Sequence, residues 1–365
     1  MPSQSFAQLY VKPAKQDNLP APSLTKICYK HSLFNINPAE IKSYTEKTGK
    51  GFSDIILDFE GYPKFPLNIY KHDIIAADYK LVLADESGKK TYSGPGGITF
   101  TGMLEQQADS RVYLTLTNNI IFGFIQSGDK KYFIEPLQYI LKGANPNTFI
   151  VYEAGDVIPQ SGISCGVTEA HQKLAQYDFS KETGNPQDAT GTCRMVEMAI
   201  AKDHLMLEKY ISVDNLQERN IGILNIMNGM YANAQFGTQY LEFKIKGQFV
   251  AASSATNPLS PSYNGTDPSV ILQNFTNWGQ AGNFGFTYDI GLLWSGRDFD
   301  GSTVGLAWVG TTCTSNRYQI DQDFSSSSLT LASLIAHETG HNLNAQHDAG
   351  GGFIMAASIQ KPTGT

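Results

Sequence analysis

The chain has 365 residues, of which 41% are hydrophobic and 17% charged, with a formal net charge of −7 and a sequence pI near 5.5. That length favours two domains. An acidic balance without a basic cluster argues against nucleic-acid binding, and no run of about 18 apolar residues exists to form a membrane-spanning helix.

In chain order, the first half reads as β-rich. Ile98–Gly102, Ser110–Leu116, Gly123–Ile125 and Lys131–Leu137 alternate with a period of two, as strands do. Nothing in residues 1–150 names a ligand. Cys165 follows with a glycine on each side, Gly162 and Gly166. It reads either as a buried thiol or as a metal ligand whose flanking glycines let the backbone enter a narrow cleft. Residues 181–191 are polar and rich in turn formers, which suits a linker and an activating cut, although no Arg-x-x-Arg run is present. No signal peptide is visible at Met1-Pro2-Ser3-Gln4, and the start is expected to be a junction left after signal removal.

The second half mixes strand and helix signals. Arg194–His204 alternates small and apolar residues like a sheet strand. Gly301–Gly310 contains a further strand. Ser325 to Ser328 offer N-cap oxygens to a helix whose Leu331, Leu334 and Ile335 share one face. That helix carries His337-Glu338-Thr339-Gly340-His341, and His347 follows six residues later.

Positions i and i+4 lie about 400° apart on a helix, so His337 and His341 share a face and can hold one Zn²⁺. Ten further helical residues would carry His347 roughly 15 Å along the axis. The chain must therefore turn, and the helix is expected to end near Leu343 with Asn344 in the left-handed region. Three neutral imidazoles leave a fourth coordination position open, the mark of a catalytic site. Glu338, on a neighbouring face, is placed to act as general base on an activated water. His31, His72, His171 and His204 lack ligand spacing and read as structural or surface residues.

The run His337–Asp348 resembles the extended zinc motif of the metzincin metallopeptidases. Its Asn342-Leu343 and trailing Asp348 are similar to the adamalysin/reprolysin (ADAM-type) branch. Phe353-Ile354-Met355-Ala356 resembles that family's Met-turn, with Met355 beneath the metal. Gly162–Thr168 resembles its cysteine-switch segment, with Cys165 as the inhibitory zinc ligand. Arg194–His204, Tyr288–Leu293 and Gly301–Gly310 resemble strands of its catalytic domain, the last leading into the edge strand, Gly305, Leu306 and Ala307, that aligns an extended substrate. Asn344 stands where the family usually has Gly, and position 357 is Ala, so no Tyr switch is expected.

The resemblance implies an α+β chain: a β-rich inhibitory prodomain over 1–180, a linker over 181–191, and a catalytic domain over 192–365 with a mixed twisted sheet, active-site helix and Met-turn. It implies a secreted zinc endopeptidase in zymogen form, acting on proteins or peptides, with its own prodomain as inhibitor. A structural calcium near Glu197 and Asp289 would be shared with some relatives. With Cys165 on zinc, a disulfide between Cys193 and Cys313 is expected, leaving Cys28 free. The alternatives are a non-catalytic zinc scaffold, and a binding protein acting through the β-rich half.

Overall fold

The computed structural model describes residues 8–16, 24–48, 51–93, 98–167, 193–232, 240–259, 263–348 and 353–357. The first half supplies β1 (Leu9–Val11), β2 (Ala14–Gln16), β3 (Ser32–Asn35), α1 (Pro38–Thr48), β4 (Ser53–Asp58), β5 (Lys64–Lys71), β6 (Ile75–Asp85), β7 (Gly88–Tyr92), β8 (Thr99–Leu104), β9 (Gln107–Leu116), β10 (Ile121–Ser127), β11 (Lys130–Pro136), β12 (Thr148–Glu153) and β13 (Ser164–Cys165). The second half supplies β14 (Cys193–Lys202), α2 (His204–Tyr210), α3 (Val213–Tyr231), β15 (Tyr240–Ala251), α4 (Pro268–Gln280), β16 (Ile290–Ser295), β17 (Thr303–Ala307), β18 (Tyr318–Gln322) and α5 (Ser328–Asn342). The architecture is mixed α/β, with two large sheets and few helices.

The first sheet has the order β1-β4-β5-β8-β9-β10-β11-β12-β3-β2 and is almost wholly antiparallel. Its alternation is genuine, yet both faces are apolar. In β10, Ile121 and Ile125 face a core with Phe34, Phe65 and Phe100, while Phe122 and Phe124 face the opposite way. That second face is covered by α3, so β10 reads as an unbroken apolar run.

The second sheet has the order β13-β17-β18-β16-β14-β15-β6-β7. Its centre, β17-β18-β16-β14-β15, comes from the second half. The three pairings along β15, β14, β16 and β18 are parallel, and β17 runs antiparallel to β18. Both edges are capped from the first half. β6 pairs parallel with β15 and hairpins into β7, and β13 pairs parallel with β17. The first half is thus woven into the second sheet at both sides, an arrangement that local periodicity does not announce.

Helix α3 lies between the sheets. Ser212 caps it, accepting from Asn215 N at 3.1 Å, and nearly every residue from Leu216 to Tyr231 is buried. Two glycines let the helix approach the first sheet. A Cβ at Gly222 would overlap the Phe122 ring, and one at Gly229 would press on Phe124 and Tyr113. Gly222→Ala should therefore destabilise the fold by about 1–3 kcal/mol, read as a lowered denaturant midpoint. Combined with Phe122→Leu, the loss should fall short of the sum of the single changes. Strict additivity would mean that the two residues do not touch.

Candidate metal centre

The active-site helix α5 begins at Ser327, whose hydroxyl accepts from Thr330 N at 3.3 Å. All but one of its fifteen residues are buried, the exception being the half-buried Thr330, so its register is locked from every side. It ends at Asn342, and Asn344 follows with φ of 74°. Asn344 N donates to His341 O at 2.9 Å and Ala345 N to Gly340 O at 2.8 Å. This left-handed stop reverses the chain and returns His347 to the helix. Asn supports the conformation that Gly more often adopts.

The segment around Met355 closes the floor. Asp348 N donates to Met355 O at 2.8 Å, and Met355 Sδ lies where a Cβ on Gly340 would sit. Glycine at 340, one residue before His341, lets the methionine pack directly against the helix. The same turn presents Ile354 O, which accepts from His337 Nδ1 at 2.6 Å. Ala345 O accepts from His341 Nδ1 at 2.9 Å.

These carbonyls have a decisive consequence. A carbonyl only accepts, so both Nδ1 atoms carry hydrogen, and in the neutral rings both Nε2 atoms carry lone pairs. Burial lowers the pKa of His337 to about 4 and of His341 to about 3, and also lowers that of His347. The rings are thus neutral near pH 7. Yet the Nε2 atoms converge, 3.1 Å from His337 to His341, 3.1 Å from His341 to His347 and 3.3 Å from His347 to His337. Lone pairs so close repel unless a cation lies between them. Cys165 Sγ completes the group at 3.5 Å from His341 Nε2, with all four ligand atoms within 4.8 Å of one another. A tetrahedral Zn²⁺ with ordinary bond lengths sets N–N edges of about 3.3 Å and N–S edges of about 3.5 Å. The donor set fits zinc.

Cys165 is held by strand pairing. Ser164 N donates to Ser302 O at 2.9 Å, Gly166 N to Gly305 O at 2.9 Å, and Cys165 N to Ala357 O at 3.4 Å. Val167 N points at Cys165 Sγ, 3.3 Å away. The two flanking glycines serve different ends. A Cβ on Gly166 would crowd Thr303 Cγ2 at 2.9 Å, so this glycine permits close approach. Gly162 is in open space, and its φ of 80° is what requires glycine. Burial, then the negative charge of Glu338, push the Cys165 thiol well above its usual pKa. The Val167 N–H favours the thiolate, and a cation at the site would favour it further.

Glu338 is wholly buried, and among the described residues neither carboxylate oxygen has a hydrogen-bond partner. Burial first, and the nearby Asp321 second, raise its pKa well above the carboxylate range. Its carboxylate lies against Gly305, where any Cβ would collide with Oε1. The edge-strand glycine is thus required by the glutamate beneath it. Asp321, on β18, was not singled out by sequence reasoning. It is fully buried, its pKa is pushed up to about 7 by burial, and it accepts from Gln319 Nε2 at 2.9 Å. Gln319 in turn accepts from Thr339 on α5 at 3.1 Å. The only signal was an acid in a strand that is otherwise all interior.

The remaining expectations fall elsewhere. Leu306 and Ala307 lie on β17 opposite Ile320 and Gln319, and the free side of that strand is taken by β13. Glu197 is bridged by Lys246 at 3.0 Å, and Asp289 accepts from Glu197 N at 2.8 Å and from the Cys313 thiol at 3.3 Å. The side chain of Cys193 lies outside the described residues, as does His171. Cys28 is a buried free thiol whose pKa burial raises to about 12. His72 lies 3.4 Å from Glu242, His204 Nδ1 lies 3.0 Å from Asn257 Oδ1, and His31 is partly buried; none belongs to the metal group.

One zinc per chain is expected by elemental analysis of the purified protein. His341→Ala, which removes the ligand in contact with each of the other three, should reduce that to a small fraction. Full occupancy in the variant would exclude His341 as a ligand.

Residues 192–361 match the family model described as metallo-peptidase family M12, reprolysin type. The chain is also similar to the zinc metalloproteinase-disintegrin-like protein atrase-A of Naja atra, 26% identical over 253 residues. That match covers 68% of this chain and 40% of the relative, so the chain spans about two fifths of its length. These matches support a reprolysin (ADAM-type) metzincin metallopeptidase over residues 192–361.

Proposed function

We propose that the chain is the latent form of a zinc-dependent endopeptidase, with Glu338 as general base and Cys165 as the inhibitory ligand. The observation that carries this is the convergence of Cys165 Sγ and three imidazole Nε2 atoms on one point, beside a buried Glu338. Zinc held by His337, His341 and His347 would polarise the scissile carbonyl and acidify a water.

The chain's own residues supply the rest. Glu338 lies buried beside the histidine group, where as a carboxylate it takes a proton from the attacking water and returns it to the departing amine. β17 aligns the substrate. Gly305 O, which now accepts from Gly166 N, is the carbonyl an extended peptide would bond by strand addition. Cys165 and the substrate therefore compete for the same edge and the same coordination position. Cutting within 181–191 relieves that competition. A hydrolase held shut by its own N-terminal half suits export, with proteins or peptides outside the cell as substrates.

Glu338→Gln should lower peptide hydrolysis by at least about 10²–10⁴-fold while zinc stays bound. Retained activity would remove Glu338 from the chemistry. Cys165→Ala should turn the uncut chain active or self-cleaving in a fluorogenic peptide assay. An inert variant with intact zinc would mean that the strand, not the thiol, does the blocking.

A further inference from the structure

We propose that the N-terminal half is a lasting part of the folded molecule: once the connection at 181–191 is cut, it stays bound to the second half, and only the Cys165 strand withdraws from the cleft. The role of that withdrawal rests on the peptidase reading above; the anchoring does not.

The tie at the cleft is small. β13 has two residues, and Ser164, Cys165 and Gly166 donate main-chain hydrogen bonds to Ser302, Ala357 and Gly305 of the second half. The ties elsewhere are far larger. β6 pairs with β15 from Gly247↔Lys80 to Ala251↔Ala84, flanked by Ile245 N to Ile74 O at 2.7 Å and Ala252 N to Ala84 O at 2.8 Å. Losing the first half would bare that edge in an otherwise parallel region, a template for aggregation. Phe122, Phe124 and Tyr152 of the first half share one continuous core with Met198, Leu224 and Ala336 of the second. Burial on that scale outweighs a two-residue strand many times over.

Charge makes separation costlier still. Arg219 on α3 is fully buried, and its guanidinium finds no hydrogen-bond acceptor among the described residues. It lies between two rings, 5.4 Å from Tyr139 of the first half and 5.2 Å from Tyr210 of the second. Its nearby carboxylates are Asp323 and Glu135. Asp323 is also held by Lys209 at 2.6 Å and Tyr210 at 2.7 Å. Glu135, from β11, is wholly buried and accepts from Ser328 Oγ, from Ser328 N at 3.4 Å and from Tyr152 OH. It thus reaches across the seam to the first turn of α5, where a negative charge is favoured. Withdrawing Glu135 and Tyr139 leaves Arg219 short of an anion and a ring, the kind of loss that is strongly destabilising in an interior.

The test uses the full-length protein with a recognition site for a sequence-specific protease placed within 181–191. After complete cutting, the pieces are run on size exclusion and native mass spectrometry in non-denaturing buffer at about micromolar concentration. A single 1:1 species is expected, and it should persist in Cys165→Ala protein treated with a chelator, where the metal tie is gone. In that background Glu135→Gln should raise the dissociation rate about tenfold or more. Separation of the pieces on cutting, or on loss of the Cys165 tie alone, would overturn the proposal. Should Glu135→Gln fail to fold, the cut parent and cut Cys165→Ala proteins decide the matter. Peptide hydrolysis by the cut protein is read separately: an associated but inactive species counts against the peptidase reading and for the anchoring.

Discussion

The site depends on two backbone carbonyls. Ile354 O and Ala345 O take the Nδ1 hydrogens of His337 and His341, which turns both Nε2 atoms into acceptors aimed at one point. Much of the second half serves to place those carbonyls. Asn344 turns the chain so that Ala345 meets His341, and Asp348 pairs with the Met355 turn so that Ile354 meets His337. Gly340 lets that turn lie against the helix.

Around this point the fold sets anionic groups close together. Cys165, Glu338 and Asp321 are all buried; Glu338 and Asp321 disfavour ionisation of Cys165, and Asp321 that of Glu338. Such a cluster is unfavourable alone and favourable around a dication. Gly305 keeps the edge strand hard against Glu338, and the same strand holds the cysteine segment. The histidine group, Glu338 and Cys165 are therefore coupled through a single glycine-bearing strand.

The metal motif was legible because its chemistry is local. Helical spacing brings His337 and His341 together, and the need for a turn before His347 points to Asn344, which has φ of 74°. The first half's strands were legible from alternation, as in Ser110–Leu116 within β9. What the sequence hid was long-range. Nothing in Ile75–Tyr92 signals a hairpin that completes the second sheet, since parallel pairing with β15 leaves no local mark. Gly222 and Gly229 look like weak points in a helix until the Phe122 and Phe124 rings are placed against them. Asp321 and Glu135 look like ordinary acids in strands, because burial and partners arrive only from distant segments.

X-ray absorption at the zinc edge of the uncut, full-length protein tests the central claim most directly. A first shell of three nitrogens and one sulfur, with Zn–S at about 2.3 Å, is expected. The sulfur should vanish in Cys165→Ala. A shell of nitrogen and oxygen alone in the uncut wild-type chain would contradict it.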